Sequence, residues 1–261
     1  AVYLIYPDVS VLKQERPVKT SFMEYRERQW SKAGINRRIQ QTWVPFSGIS
    51  PYAVKAVIIA EDDKFWSHEG FDFEAIQKAI EKDFRKGRLK AGGSTISQQL
   101  AKNLYLTPAR NPVRKIKEAI LTWRLERNLT KRRIIEIYLN VAEWGEGIFG
   151  IEAVARHYFG KSATVLTARE AAALAAVLPS PLRYNPTGKG RYVESRTEAV
   201  YRIMVRRGIV IPEYDQLLRV PPDGSEPSRT GDVAEPDDSG GMSAPDGGEG
   251  GTDPARTDFV K

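Results

Sequence analysis

The chain has 261 residues, 41% of them hydrophobic, enough for one sizeable domain or two small ones. It holds no cysteine, which excludes disulfides, cysteine-ligated zinc, iron–sulfur sites and cysteine nucleophiles, and its two histidines would leave a zinc site dependent on Asp or Glu. The net charge is +7, yet residues 221–261 carry ten acids against three bases, so residues 1–220 hold about +14, a charge that suits nucleic acid, anionic lipid headgroups or a phosphorylated substrate.

Residues 1–6 are apolar and far short of the roughly 20 residues a membrane span needs. They read as the end of a removed transmembrane helix or as an edge strand. Residues 7–50 are mixed and polar, with a basic and aromatic run from Tyr25 to Trp43. Ser50 followed by Pro51 is a helix start. The helix it opens places Val54, Val57, Ile58 and Glu61 close together around its axis. Asp72 caps a second helix, expected to run to about Arg85 on Phe73, Ile76, Ala79, Ile80 and Phe84 and to stop at Gly87. Gly92-Gly93 predicts a hinge or tight turn, and Ser94 is the expected cap of a helix through Asn103.

Further helices are expected at about Pro112 to Asn128, Thr130 to Asn140, around Val154, Ala155 and Tyr158, at 168–178, and from Glu194 to Arg207. Glycines 145, 147 and 150 punctuate the turn between the second and third of these. The 168–178 segment is rich in Ala and Leu but too short to span, so it reads as buried core. There is no run of alternating strands and no internal repeat, and the body reads as mostly α. Residues 221–261, with eight Gly, six Pro and one aromatic, read as a disordered acidic tail.

Three segments carry more chemistry than helices need. Glu61 stands at the edge of the apolar run Ala56–Ala60, where desolvation raises a carboxyl pKa and suits it to accept a proton. A solvated acidic helix end is the plain alternative, and His68 nearby reads as a hydrogen-bonded structural residue. Gly92-Gly93-Ser94-Thr95-Ile96-Ser97-Gln98-Gln99 then Lys102 offers free helix N–H groups, amides and an ammonium to a phosphate. It is not a Walker loop, lacking the Gly-Lys-Ser/Thr ending. Arg114, Lys115 and Glu118 put a carboxylate among cations, with Arg110 and Lys117 extending the positive field; an i,i+4 salt bridge is the plain alternative. Two carboxylates are the usual equipment for chemistry at a sugar C1. The cations add a phosphate, and a glycosyl diphosphate answers both.

The sequence resembles the family-51 peptidoglycan glycosyltransferases over roughly Trp43 to Pro186. The matching segments are Glu61-Asp62 with Phe65, His68, Gly70 and Asp72; Gly92 through Asn103; Arg114-Lys115 with Glu118; Lys131 through Asn140; and Gly147-Ile148-Phe149-Gly150 with Ala153, Ala155 and Tyr158-Phe159-Gly160. Val141-Ala142-Glu143-Trp144-Gly145 and Thr20-Ser21-Phe22-Met23 resemble the monofunctional biosynthetic branch. Ser97 stands where many relatives carry Thr, which keeps the hydroxyl.

The resemblance implies a mostly α, lysozyme-like glycosyltransferase domain with a smaller membrane-proximal jaw lobe, in which Arg85, Lys86, Arg88 and Lys90 would lie. It implies three regions: 1–42 as a membrane-proximal segment, 43–220 as the glycosyltransferase domain and 221–261 as the tail. Catalytic roles fall on Glu61, as general base, and Glu118. Ser94, Gln98, Gln99, Lys102, Arg114 and Lys115 are expected to bind substrate, while Asn140 and Glu136 read as structural. The expected partners are lipid II and the growing glycan chain, membrane lipids, and cell-wall synthesis or division proteins, with no nucleic acid. No tightly bound cofactor is expected; a divalent ion, Mg2+ or Mn2+, is left open. The expected location is a bacterial inner membrane, through a single-pass transmembrane anchor, with the catalytic domain on the periplasmic side.

Three rivals make different demands. A lytic hydrolase has no need of Lys102, Arg114 and Lys115 together, a nucleic-acid binder leaves Glu61 without a purpose, and a scaffold tolerates any change at Glu61.

Overall fold

The computed structural model describes residues 7–77, 81, 93–108 and 111–212. Contacts divide the chain into a body through Pro221 and a second unit from Pro222, which lies outside the described residues. The expected tail, the apolar residues 1–6, Gly92, Arg110 and the jaw cations Arg85, Lys86, Arg88 and Lys90 also lie outside them.

Local signals set most of the helices. Helix α1 spans Ser21–Lys32 and α2 spans Pro51–Glu61, opened by the Ser50 side chain with Pro51 in its first turn. Asp72 Oδ1 accepts from Ala75 N–H at 2.9 Å and caps a turn whose residues 73–77 are helical; the expected continuation to Arg85 lies outside the described residues but for residue 81, also helical. Next come α3 at Ile96–Tyr105, α4 at Pro112–Asn128 and α5 at Lys131–Val141, capped by Thr130. Helices α6 at Ile151–Phe159, α7 at Ala168–Val177 and α8 at Arg191–Arg206 complete the described body.

Two expectations are corrected here. The cap of α3 is Thr95 rather than Ser94. Thr95 and Gln98 form a reciprocal capping box, which satisfies two helix-start N–H groups at once and so wins over a single hydroxyl. Residues 7–50 contain a full helix, α1, whose Met23 and Trp30 are buried. It packs on α3.

The core is helix on helix. Helix α7 is buried nearly all round, and its alanines let α2 and α8 approach closely on either side. Helix α3 packs on α4 and α5, with Ile96, Leu100, Leu125, Ile134 and Ile137 fully buried between them. A three-stranded sheet sits beside these helices, ordered β1 (Gln40–Gln41), β3 (Ile148–Phe149), β2 (Glu143–Gly145). Strand β1 runs parallel to β3, with Gln40 opposite Ile148. Strand β2 is antiparallel and irregular between Glu143 and Gly145.

Asn140 ties the sheet side to α5. Its Oδ1 accepts from Val44 N–H at 2.9 Å, and its Nδ2 donates to the carbonyls of Val44 and Glu136 at 2.9 and 2.8 Å. The side chain is fully buried, which agrees with its structural reading. Asn140→Ala strands the Val44 groups and is expected to cost about 3 kcal/mol, read as a lower urea midpoint at unchanged slope.

The expected single-pass anchor, and with it the anchored inner-membrane location and the transmembrane assignment, is corrected as well. Among the described residues no helix is long and apolar enough to cross a membrane. The longest, α4, has 17 residues and places Arg114, Lys115, Lys117 and Glu118 in its first two turns.

Candidate active site

Glu61 is the last residue of α2, and its side chain is 11% exposed. Its Oε2 accepts from Gln99 Nε2 at 2.8 Å, and Gln99 Oε1 in turn accepts from the Tyr138 hydroxyl at 2.9 Å. Its Oε1 lies 4.0 Å from an Arg196 guanidinium nitrogen on α8. Burial pushes the Glu61 carboxyl above its ordinary value; the Gln99 bond and the charges of Arg196 and Lys102 oppose that push, and Asp62 adds to it. Poised this way, the group can take a proton.

The residues just beyond Glu61 fix where α2 ends. Asp62 is buried, and its Oδ2 accepts from Ile96 N–H at 2.9 Å, fastening the end of α2 to the start of α3. Its Oδ1 meets His68 Nε2 at 2.8 Å, while His68 Nδ1 accepts from Gly70 N–H at 3.1 Å. With Nδ1 an acceptor, Nε2 is the protonated nitrogen that donates to Asp62. Thr95 adds a bond from its hydroxyl to the Gly70 carbonyl at 2.7 Å. His68 is therefore structural, as expected from the sequence, and its work is to hold Glu61 opposite α3.

Helix α3 brings Gln99 and Lys102 to this point, one turn apart, and α4 brings the cations. Lys102 lies over the Phe22 ring, 5.7 Å from its centroid. Burial holds its ammonium below the usual lysine value; the charges of Glu118 and Glu61 oppose that, and Arg114 and Lys115 reinforce it. Lys102 thus senses both glutamates. Glu118 is 3% exposed. Its Oε2 accepts from Arg114 at 2.8 Å and its Oε1 pairs with Lys115. Among the described residues, Arg114 Nε is buried without an acceptor.

Two clefts flank the Glu61–Gln99–Tyr138 chain. One of about 290 Å3 is lined by Glu61, Asp63, Lys64, Asp72 and Ser94. The other, about 420 Å3, is lined by Gln99, Lys102 and Tyr138, with Phe22 and Arg26 of α1 and the 178–183 segment closing its far side. Arg26 is held there by a bidentate bond to Glu143, at 2.7 and 3.0 Å. Lys102 lines the second of these clefts, while Arg114, Lys115 and Glu118 line neither. Gln98 is 4% exposed, and its Oε1 accepts from Thr95 N–H at 3.0 Å as part of the helix cap.

Among the described residues a divalent ion finds no ready cage. Both Glu118 oxygens already face cations, and the described residues gather no cluster of three Asp, Glu or His side chains.

Sequence reasoning did not single out Tyr138, Arg196, Phe22 or Arg26 for the site. Tyr138 sits among the apolar residues of α5, and Arg196 lies beyond the Trp43–Pro186 resemblance. The Thr20-Ser21-Phe22-Met23 stretch was one available signal, and it lands at the cleft wall with Glu143 of the other branch-like stretch.

A mostly α body with a largely buried glutamate at a helix end, near helix-borne cations, fits the lysozyme-like glycosyltransferase class that the sequence resembles. Comparison carries this to a family. The family model described as Transglycosylase matches residues 27–205. A biosynthetic peptidoglycan transglycosylase from Nitrosospira multiformis is 44% identical over 207 residues, covering 79% of this chain and 90% of that protein. Proteins of the same description from Methylobacillus flagellatus and Aromatoleum aromaticum are 45% identical over 208 residues (80% and 86% coverage) and 53% identical over 168 residues (64% and 73% coverage). The chain belongs to the transglycosylase family.

Proposed function

We propose that the chain is an inverting peptidoglycan glycosyltransferase, which polymerises lipid II into β-1,4-linked glycan. The observation that carries this reading is Glu61, a carboxyl desolvated at the end of α2, held by Gln99 and sharing the field of Lys102. The acceptor GlcNAc 4-hydroxyl attacks C1 of the donor MurNAc and gives its proton to Glu61. The C1–O bond to the undecaprenyl diphosphate breaks, its electron pair leaves with the diphosphate, and attack from the opposite face inverts the centre. Lys102, Arg114 and Lys115 offset the charge that grows on the departing diphosphate. Ser94 lines the cleft on the Glu61 side and in this reading contacts substrate there, while Gln98 supports the site through the α3 cap. The donor and acceptor are both lipid-linked, so the enzyme works where lipid II lies.

Polymerisation of labelled lipid II in detergent or liposomes tests the reading. Glycan made by the parent chain and lost in Glu61→Gln at unchanged folding supports it. Full activity in Glu61→Gln sinks the base. Glycan that shortens rather than grows would point to the lytic alternative.

Glu118 acts here through the cations it holds. Glu118→Gln keeps one acceptor oxygen and leaves one cation without its partner, beside a neutral amide. The expected cost is about 1–2 kcal/mol, kept below that of a fully buried pair because Lys115 is half exposed. Activity falls with it, through weaker donor binding. Chemical denaturation and the KM for lipid II check the two effects separately.

A further inference from the structure

The Glu61–Gln99–Tyr138 chain has a direction. Tyr138 is 1% exposed and donates its hydroxyl proton to Gln99 Oε1 at 2.9 Å. That commits the amide oxygen, so Gln99 has only N–H groups to offer at its other face, where Nε2 meets Glu61 Oε2 at 2.8 Å. A flipped amide would set its oxygen against the carboxylate and its N–H groups against the Tyr138 hydroxyl, leaving that hydroxyl proton without its acceptor. The three groups come from different helices, α2, α3 and α5, and their order is enforced by packing.

We infer that Tyr138 and Gln99 are positioning residues for Glu61: Tyr138 locks the Gln99 amide, the amide holds Oε2, and Oε1 is the oxygen left to take the acceptor's proton. This deepens the base role given to Glu61 and rests on it. It also moves Gln99 away from the substrate-binding role that the sequence suggests, since both ends of its amide are used inside the protein. A locked N–H donor favours the ionised form of Glu61, the form a base needs at the start of the reaction. Burial keeps the Tyr138 hydroxyl protonated, with the charges of Glu61 and Asp62 adding to it, so Tyr138 stays a donor across the working range. The other charges facing Glu61 are Arg196 from α8, Lys102 from α3 and Asp62 beside it. None of them is changed by the test.

The test measures kcat and KM of lipid II polymerisation against pH for the full chain, Tyr138→Phe, Gln99→Met and Glu61→Gln, with a thermal melt of each. Tyr138→Phe removes one oxygen and frees the amide to flip. Gln99→Met removes both bonds at similar volume. In both, kcat is expected to fall on the order of 10- to 100-fold through loss of carboxylate orientation. KM should stay near that of the parent, and the acid limb of the kcat profile should move to higher pH. Over the pH range in which the melts show each variant folded, the acid limb is the decisive readout, because there a loss of active fraction lowers the rate without moving it. A raised KM with kcat and the acid limb unchanged in Gln99→Met would make Gln99 a substrate contact and overturn the inference. An unmoved acid limb in a folded Tyr138→Phe would overturn it too, even if Gln99→Met does not fold. Full activity in Glu61→Gln would overturn the base role itself, an outcome distinct from the other two.

Discussion

Glu61→Gln is expected to lower lipid II polymerisation on the order of 10²- to 10⁴-fold, the usual share of a positioned general base, while leaving the protein no less stable. The second half follows from the direction of the pKa. Burial raises the folded-state value of Glu61 above its ordinary 4.5. Between the unfolded value and the folded one, the native state binds more protons than the unfolded chain, so the parent loses stability as pH rises through that window. Below 4.5 the parent and the variant should melt together. Above the folded pKa the carboxylate is charged in a desolvated place, and glutamine, which carries no charge, does not meet that cost. A glutamine oxygen can still accept from Gln99 Nε2. The expected record is a melting-temperature gap in favour of Glu61→Gln that opens with rising pH and then levels, beside a dead polymerisation assay. A gap of the opposite sign would mean that Glu61 stabilises the fold as a salt bridge to Arg196, and the desolvation argument would fail.

The largest loss of stability is expected at a glycine that lines neither cleft. Gly150 starts α6 with φ of +87°, a conformation that L side chains rarely adopt. A Cβ there would stand 2.7 Å from the Asn140 carbonyl oxygen. The obstacle is backbone at the end of α5, held by the Val44 bonds and by Gln41 Nε2 on the same oxygen at 2.8 Å, so it cannot swing aside. Gly150→Ala combines backbone strain with a collision and should cost about 3 kcal/mol or more. Urea unfolding would show it as a lower midpoint. Gly160→Ala is the control: its φ is also positive, at +67°, but nothing lies within 4 Å of the added carbon, so it should carry the strain alone.

The helices that frame the site were legible where a cap and a periodic apolar face coincide. Ser50-Pro51, Thr130 and the 112–128 stretch all carry such signals, and each opens or spans its helix as expected. Thr95-Ile96-Ser97-Gln98 also held a readable signal, a hydroxyl followed three residues later by a glutamine, but Ser94 beside it offered a competing cap. Helix α1 was hidden because it buries only Met23 and Trp30 among polar residues. The sheet was hidden because its strands of two and three residues are too short to alternate. Hydrogen bonds to distant partners define them, and a single strand does not display its partners. At the site, Glu61 and Lys102 stood out as candidates by residue type and place in the chain, and the resemblance supplied their roles. The direction of the Gln99 amide could not, because it is set by Tyr138, whose place opposite α3 exists only after α5 has packed.

The parallel pairing of Gln40–Gln41 with Ile148–Phe149 has a consequence for the order of biosynthesis. The Ser50 amide likewise waits for the Ala163 carbonyl, its partner at 2.9 Å. A ribosome adding about 5–20 residues per second would leave the segment before α2 without these partners for on the order of ten seconds. For about the first half of that interval α1 lacks α3, and throughout it Trp30 lacks the 143–149 hairpin, whose Glu146 and Gly147 it meets. The N-terminal wall of the larger cleft is therefore among the first segments made and among the last to be seated. Slowed translation between Pro51 and Ala163 should lengthen its exposure to proteases more than that of any helix it later rests on.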